Sequence, residues 1–169
     1  SASIGDVNDN GDGTWSWSYD SLDGPDETQT VTITATDSDT ASTEATFELV
    51  VNNVAPTADA GGPYSGDEGT LIALSGSGGD VDADTLKFAW DLDGDNIFEK
   101  LGQNVNFDAV DDVTAQVVRL RVRDGDGGET IDSSTVTVNN VAPVIDSANS
   151  VLVGADVDVE VEFSDVGTQ

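Results

Sequence analysis

The chain contains no cysteine, no histidine and no methionine, and only 5 basic residues stand against 34 acidic ones. Without cysteine there is no disulfide framework, no thiolate nucleophile and no cysteine-ligated metal. Without histidine the usual general base is missing, and with it the serine and cysteine triads and the common zinc sites. A net charge of −29 repels phosphate backbones and anionic bilayers, so nucleic acid is excluded as an expected partner. No run approaches the roughly 20 apolar residues that cross a bilayer as a helix, so membrane insertion is not expected. What is present is 37% hydrophobic residues over 169 positions, with 18 glycines. That is enough to build one or two small cores. The composition points to a protein that is not an enzyme.

The acid is of one kind, 26 aspartates against 8 glutamates. Aspartate favours turns and short oxygen-rich loops, whereas glutamate is a good helix former. The string Val-Asn-Asn-Val-Ala-Pro stands at residues 51–56 and again at 138–143, an offset of 87. At the same offset Asp37-Ser38-Asp39 overlies Asp124-Gly125-Asp126. Such self-similarity marks two copies of one module. Within the copy at 54–142 the apolar residues alternate. Phe88, Trp90 and Leu92 share one face against Lys87, Asp91 and Asp93, and Val118, Leu120 and Val122 share one against Arg119, Arg121 and Arg123. Thr70, Ile72 and Leu74 repeat the pattern. A period of two predicts strands, and no segment carries a helical period. The expected class is all-β, as tandem Ig-like antiparallel β-sandwiches.

The two ends of the chain read as half-modules. Residues 1–53 carry the C-terminal half of a sandwich, with Trp15, Trp17 and Tyr19 alternating on a strand and expected in its core. Residues 143–169 carry an N-terminal half, with Val157, Val159, Val161 and Phe163 alternating against Asp158, Glu160 and Glu162. Residues 52–138 make 87, while 139–169 followed by 1–51 make 82, nearly the same length. Neither half buries its apolar face alone. The front half is therefore expected to be completed by residues 1–53 of a neighbouring unit. The partner would be a copy of the same chain, head to tail, joined either covalently in a longer repeat or by strand exchange.

The residues Trp90-Asp91-Leu92-Asp93-Gly94-Asp95 resemble the Trp-Asp-Phe-Gly-Asp-Gly signature of polycystic-kidney-disease (PKD) domains. Ala60-Gly61-Gly62-Pro63-Tyr64, Leu74-Ser75-Gly76-Ser77 and the closing Val122-Arg123-Asp124-Gly125-Asp126-Gly127 fit the same family over residues 57–138. In the first half, Asn10-Gly11-Asp12-Gly13-Thr14-Trp15 and Val31-Thr32-Ile33-Thr34-Ala35-Thr36-Asp37 look like bacterial cadherin-like and Ig-like repeats. The resemblance implies a β-sandwich of large bacterial or archaeal surface proteins, extracellular or at the cell surface, serving as spacer, adhesive or binding module.

Calcium is the cofactor these residues suggest, because it takes six to eight oxygen ligands from closely spaced carboxylates and carbonyls. Asp80, Asp82 and Asp84 alternate before Lys87, and Asp91, Asp93 and Asp95 follow Trp90. An EF-hand starting at Asp91 fails, since its sixth and twelfth positions are Asn96 and Gly102 rather than Gly and Glu. A second candidate set lies at the module junctions: the hairpin pairs Asp37/Asp39 and Asp124/Asp126, and Glu68 just after the first linker. The competing reading is that Asp-x-Asp simply caps a tight hairpin. Arg119, Arg121 and Arg123 hold three of the five basic residues and are expected to pair with acids across strands. The expected function is a structural extracellular repeat forming a fibre, stalk or sheath, stiffened by Ca²⁺. The alternative is an accessory or adhesin module that binds surface polysaccharide or protein. A halophile's surface protein, acid-rich for solubility, is a third reading.

Overall fold

The computed structural model describes residues 1–21, 24–81, 85–110 and 115–166. The two-residue alternation is realised as strands, and no helix occurs among the described residues. The chain divides into two compact units. The first comprises Ser1–Pro56, Asp80–Leu86 and Arg123–Glu129, and the second Thr57–Gly79, Lys87–Val122 and Thr130–Gln169.

In the first unit, β1 (Asp6–Asp9) and β2 (Trp15–Ser18) form an antiparallel hairpin with Val7 opposite Trp17. Its turn is held by its own side chains. Asp9 Oδ1 accepts the Gly11 N–H at 2.8 Å, and Asp12 Oδ1 accepts the Thr14 N–H at 2.9 Å and its hydroxyl at 2.6 Å. β3 (Glu27–Thr36) and β4 (Ser42–Val51) form a second hairpin with Val31 opposite Phe47 and Ile33 opposite Ala45. Residues 1–3 lie along β3, with Ala2 bridged to Ile33 and the Ser3 N–H donating to the Thr32 carbonyl at 3.0 Å. Val31 is fully buried, and Trp17 meets Phe47 edge-on at 5.0 Å while donating from Nε1 to the Ile4 carbonyl. This core stays open. Phe47 is 39% exposed, and Trp15, expected inside, is 65% exposed. Among the described residues, the strands of this unit are its two hairpins with residues 1–3 alongside β3, and they leave that apolar face partly uncovered.

The second unit contains β5 (Tyr64–Asp67), β6 (Leu71–Ser75), β7 (Lys87–Asp91), β8 (Lys100–Leu101), β9 (Asn104–Asp108), β10 (Gln116–Arg123), β11 (Glu129–Asn139), β12 (Val144–Val153) and β13 (Asp156–Ser164). One sheet runs β5-β11-β10-β7-β8, and a second pairs β6 with β9, Ile72 opposite Phe107 and Leu74 opposite Val105. The chain enters beside β6, where Asp59 is bridged to Ser77, then crosses to run parallel to β11 with Tyr64 opposite Val136. Gly61 and Gly62 make that crossing at φ of 64° and 76°, a backbone region costly for residues with a Cβ. The Tyr64 hydroxyl locks the bend, donating to the Ala60 carbonyl at 2.7 Å and accepting the Ser75 N–H at 3.1 Å.

Between the two sheets lie Leu74, Trp90, Val118, Leu120, Val122 and Val136, all essentially inaccessible. They are the inward members of the alternating runs, and each contributes about 1.5–3 kcal/mol on burial. Trp90 Nε1 donates to the Gln103 carbonyl at 3.3 Å, so its one polar atom is satisfied. The layers meet closely at Gly76, where a Cβ would overlap Leu120 and lie 3.0 Å from Trp90. The arrangement is sandwich-like.

β12 and β13 form a separate antiparallel hairpin turning at Gly154. Because paired residues share a face, Ile145, Leu152, Val157, Val159, Val161 and Phe163 lie together, with Asp156, Asp158, Glu160 and Glu162 opposite. Those six apolar residues are 48–71% exposed.

Candidate metal centre and module turns

β7 delivers Asp91 into the core end of the second unit, where its carboxylate is wholly buried. Oδ1 accepts the Gly94 N–H at 2.6 Å. Oδ2 accepts the Asn96 N–H at 2.9 Å and Arg119 Nη1 at 3.1 Å, and Arg119 also donates to the Gly94 carbonyl. Burial pushes the Asp91 pKa up, but the two N–H groups and the guanidinium outweigh it and hold the acid below its ordinary range. The following loop turns on itself through Asp93 Oδ1, which accepts the Asp95 N–H, and Asp95 Oδ1, which accepts the Ile97 N–H. Gly94 and Asn96 supply the left-handed residues this requires, at φ of 81° and 72°. Glu99 reaches back to accept the Leu92 N–H at 3.0 Å.

The structure brings Asp91, Asp93 and Asp95 together: one oxygen of each lies within 4.8 Å of the others. Oxygens sharing one Ca²⁺ at about 2.3–2.6 Å stand at most about 5 Å apart. The donor set is hard and anionic, which suits that ion. Its buried member already has Arg119 as counter-charge, while Asp93 and Asp95 are exposed, each with Oδ1 accepting a loop N–H. Asp80 lies in the other unit; its Oδ1 accepts the Val81 N–H at 2.8 Å, and its buried Oδ2 has no hydrogen-bond partner among the described residues. Asp82 and Asp84 lie outside the described residues.

The junction residues act as backbone clamps. In the first unit Asp124, 5% exposed, accepts the N–H groups of Asp126, Gly127 and Gly128 on Oδ1 at 2.8–2.9 Å and Asn53 Nδ2 on Oδ2 at 3.0 Å. The Asn53 amide is the largest cause holding the Asp124 pKa below its ordinary value. Desolvation opposes it and the three N–H groups add to it. Asn53 is itself fixed by its N–H donating to Asp26 at 2.6 Å, while its Oδ1 is buried without a hydrogen-bond partner among the described residues. Asp37 repeats the Asp124 design, its Oδ1 accepting the N–H groups of Asp39 and Ala41 at 2.9 Å. Asp126 and Asp39 supply the N–H in each hairpin. In the second unit Glu68, 3% exposed, accepts the Val141 N–H at 2.7 Å, and Asp67 accepts Asn139 Nδ2 at 3.2 Å. The hairpin-cap reading accounts for the Asp-x-Asp pairs, and Glu68 ties the second linker to the turn after β5.

Of the arginine stripe, Arg119 pairs with Asp91, Arg123 with Glu129, and Arg121 lies 4.2 Å over the Phe98 ring. Sequence reasoning missed Arg119 as the partner of Asp91, and Asn53 as the partner of Asp124. The recurrence of the Asn-Asn pair after each Asp-x-Asp turn does not find this contact, because Asn53 stands 71 residues before Asp124. An open cavity of about 410 Å³ is lined by Ala35, Thr36, Asp37, Ala41, Ser42 and Thr43. Its only carboxylate, Asp37, is already engaged by two backbone N–H groups. The chain matches no protein-family profile, and no curated protein is significantly similar to it.

Proposed function

We propose that this chain is a structural repeat of an extracellular or cell-surface protein, built from Ig-like, PKD-type and cadherin-like sandwiches and assembled end to end into a fibre, stalk or sheath. The observation that carries the reading is that one unit encloses a sandwich-like core, while the β1–β4 hairpins and the β12–β13 hairpin leave apolar faces exposed. Phe163 is 69% and Trp15 65% exposed. Monomers rarely leave such surfaces bare. Absent histidine and cysteine, and carboxylates consumed by backbone clamps, favour scaffolding over catalysis. Ca²⁺ bound by Asp93 and Asp95 beside Asp91 would offset repulsion within the loop and stiffen it. Electron microscopy of the untagged protein tests the assembly: end-to-end filaments are expected, and discrete single particles at every concentration overturn it.

A second reading rests on the aromatic row of β2, where Trp17 stacks with Tyr19 at 6.1 Å beside exposed Trp15. Such a row suits the flat faces of a polysaccharide, as an accessory or adhesin module would use. Retention on an insoluble polysaccharide that Trp15→Ala abolishes would favour it over the fibre.

A further inference from the structure

We infer that the β12–β13 hairpin of one copy closes the open core of residues 1–53 in a second copy, with β13 laid along β2 as β6 lies along β9. This rests on the assembly reading above and names its contact. The closed module supplies the template, because the 87-residue offset maps each open half onto a part of it. Leu120 and Val122 are fully buried, yet their counterparts Ile33 and Ala35 are half-buried and exposed. The difference has a specific cause. In the closed module Gly76 and Gly78 sit over Leu120 and Val122, a Cβ at Gly78 lying 3.1 Å from the latter. The counterparts of that covering strand are in β13: Val159 and Val161 for Ile72 and Leu74, and Phe163 for Gly76. They are the exposed face of the hairpin, and the 410 Å³ cavity beside Ala35 lies at the end of β3 that they would reach.

The bulk is exchanged in the right sense. Where the closed module fills its centre with Trp90 and keeps Gly76 small, the strand along β3 brings only Ala2 and Ser3, while the covering strand brings Phe163. A large residue on one half replaces a large residue on the other, as close-packed cores require. Polarity agrees as well. Closing the core leaves Asp158, Glu160 and Glu162 on the solvent side.

The test uses two variants at exposed positions, so that each chain keeps its fold. Val161→Asp spoils the covering strand and Ala35→Arg spoils the open core. Wild type is expected to associate with concentration in sedimentation velocity, with a blue shift of tryptophan emission as Trp15 is covered. Each variant alone is expected to associate roughly 100-fold more weakly, since an unpaired charge would be buried. An equimolar mixture is expected to form a one-to-one heterodimer, because each variant retains the half the other lacks. If wild type and both variants associate equally, the named contact is overturned while the assembly reading stands. A closed dimer lost in both variants keeps the contact and overturns the filament. A wild type that stays monomeric throughout overturns both.

Discussion

Asp91 and Asp124 show how one residue type is put to structural use in a chain with 26 copies of it. Each is buried, and each offsets desolvation with backbone N–H groups and one side-chain donor, Arg119 or Asn53. Removing one partner of a buried pair leaves the other uncompensated, at about 3–5 kcal/mol. Arg119 is 29% exposed and partly hydrated, so Asp91→Ala is expected at the low end, about 3 kcal/mol, read from urea denaturation. Both carboxyls are held below their ordinary value of 3.8. A folded pKa depressed below the unfolded one stabilises fully above the unfolded value, and that stability is lost as pH falls through the folded value. Acidification also relieves the repulsion of the net −29 charge, so the total melting curve mixes two opposed effects. The difference between wild type and Asp124→Asn isolates one of them. It is expected to be constant from about pH 8 to 5 and to shrink below about pH 4 in differential scanning calorimetry. A difference that persists unchanged at lower pH would show that the clamp acts without its charge.

At the scale of the element, period-two alternation alone locates β6 and β10 and their buried members, because a pleated strand buries every second side chain; it locates β7 but not its burial, since Ala89, Trp90 and Asp91 are buried in succession there. The same pattern places Trp15 inside, and it fails there for a physical reason. Alternation says which residues share a face, not whether a partner layer covers that face. The acidic triad Asp91, Asp93 and Asp95 is legible from spacing, whereas the guanidinium that neutralises its buried member comes from a strand 28 residues away and leaves no local trace. The path into the second unit's sheets is half legible. Gly61 and Gly62 allow the chain to cross between sheets ahead of β5, whereas β12 has no such pair and runs paired with β13 as far as Gly154. Gly76 is the element-level test. Added volume there meets Leu120 and Trp90, both in place on opposite strands. Gly76→Ala is expected to cost about 1–3 kcal/mol, the usual range for overpacking, with thermal unfolding as the measure.

Across the whole molecule the charge sets the conditions under which any of this is stable. With −29 on 169 residues, self-repulsion opposes the compact state, and salt relieves it by shortening the screening length from about 30 Å at 0.01 M to about 3 Å at 1 M. A rise of melting temperature with NaCl is therefore expected of the chain as a whole and says nothing about a site. A bound divalent ion behaves differently. It stabilises by the logarithm of its concentration over its dissociation constant, about 2.7 kcal/mol at a hundredfold excess, and it does so at millimolar levels where screening changes little. The separating measurement compares CaCl₂ with NaCl at matched ionic strength, in wild type and in the double variant Asp93→Asn, Asp95→Asn. Asp93 and Asp95 are exposed, so the variant keeps its fold and its Arg119–Asp91 pair. The expected outcome is that wild type gains an increment from CaCl₂ beyond the NaCl response. The double variant loses that increment and retains the NaCl response. Equal responses to the two salts in wild type would assign the acid wholly to solubility and turn formation.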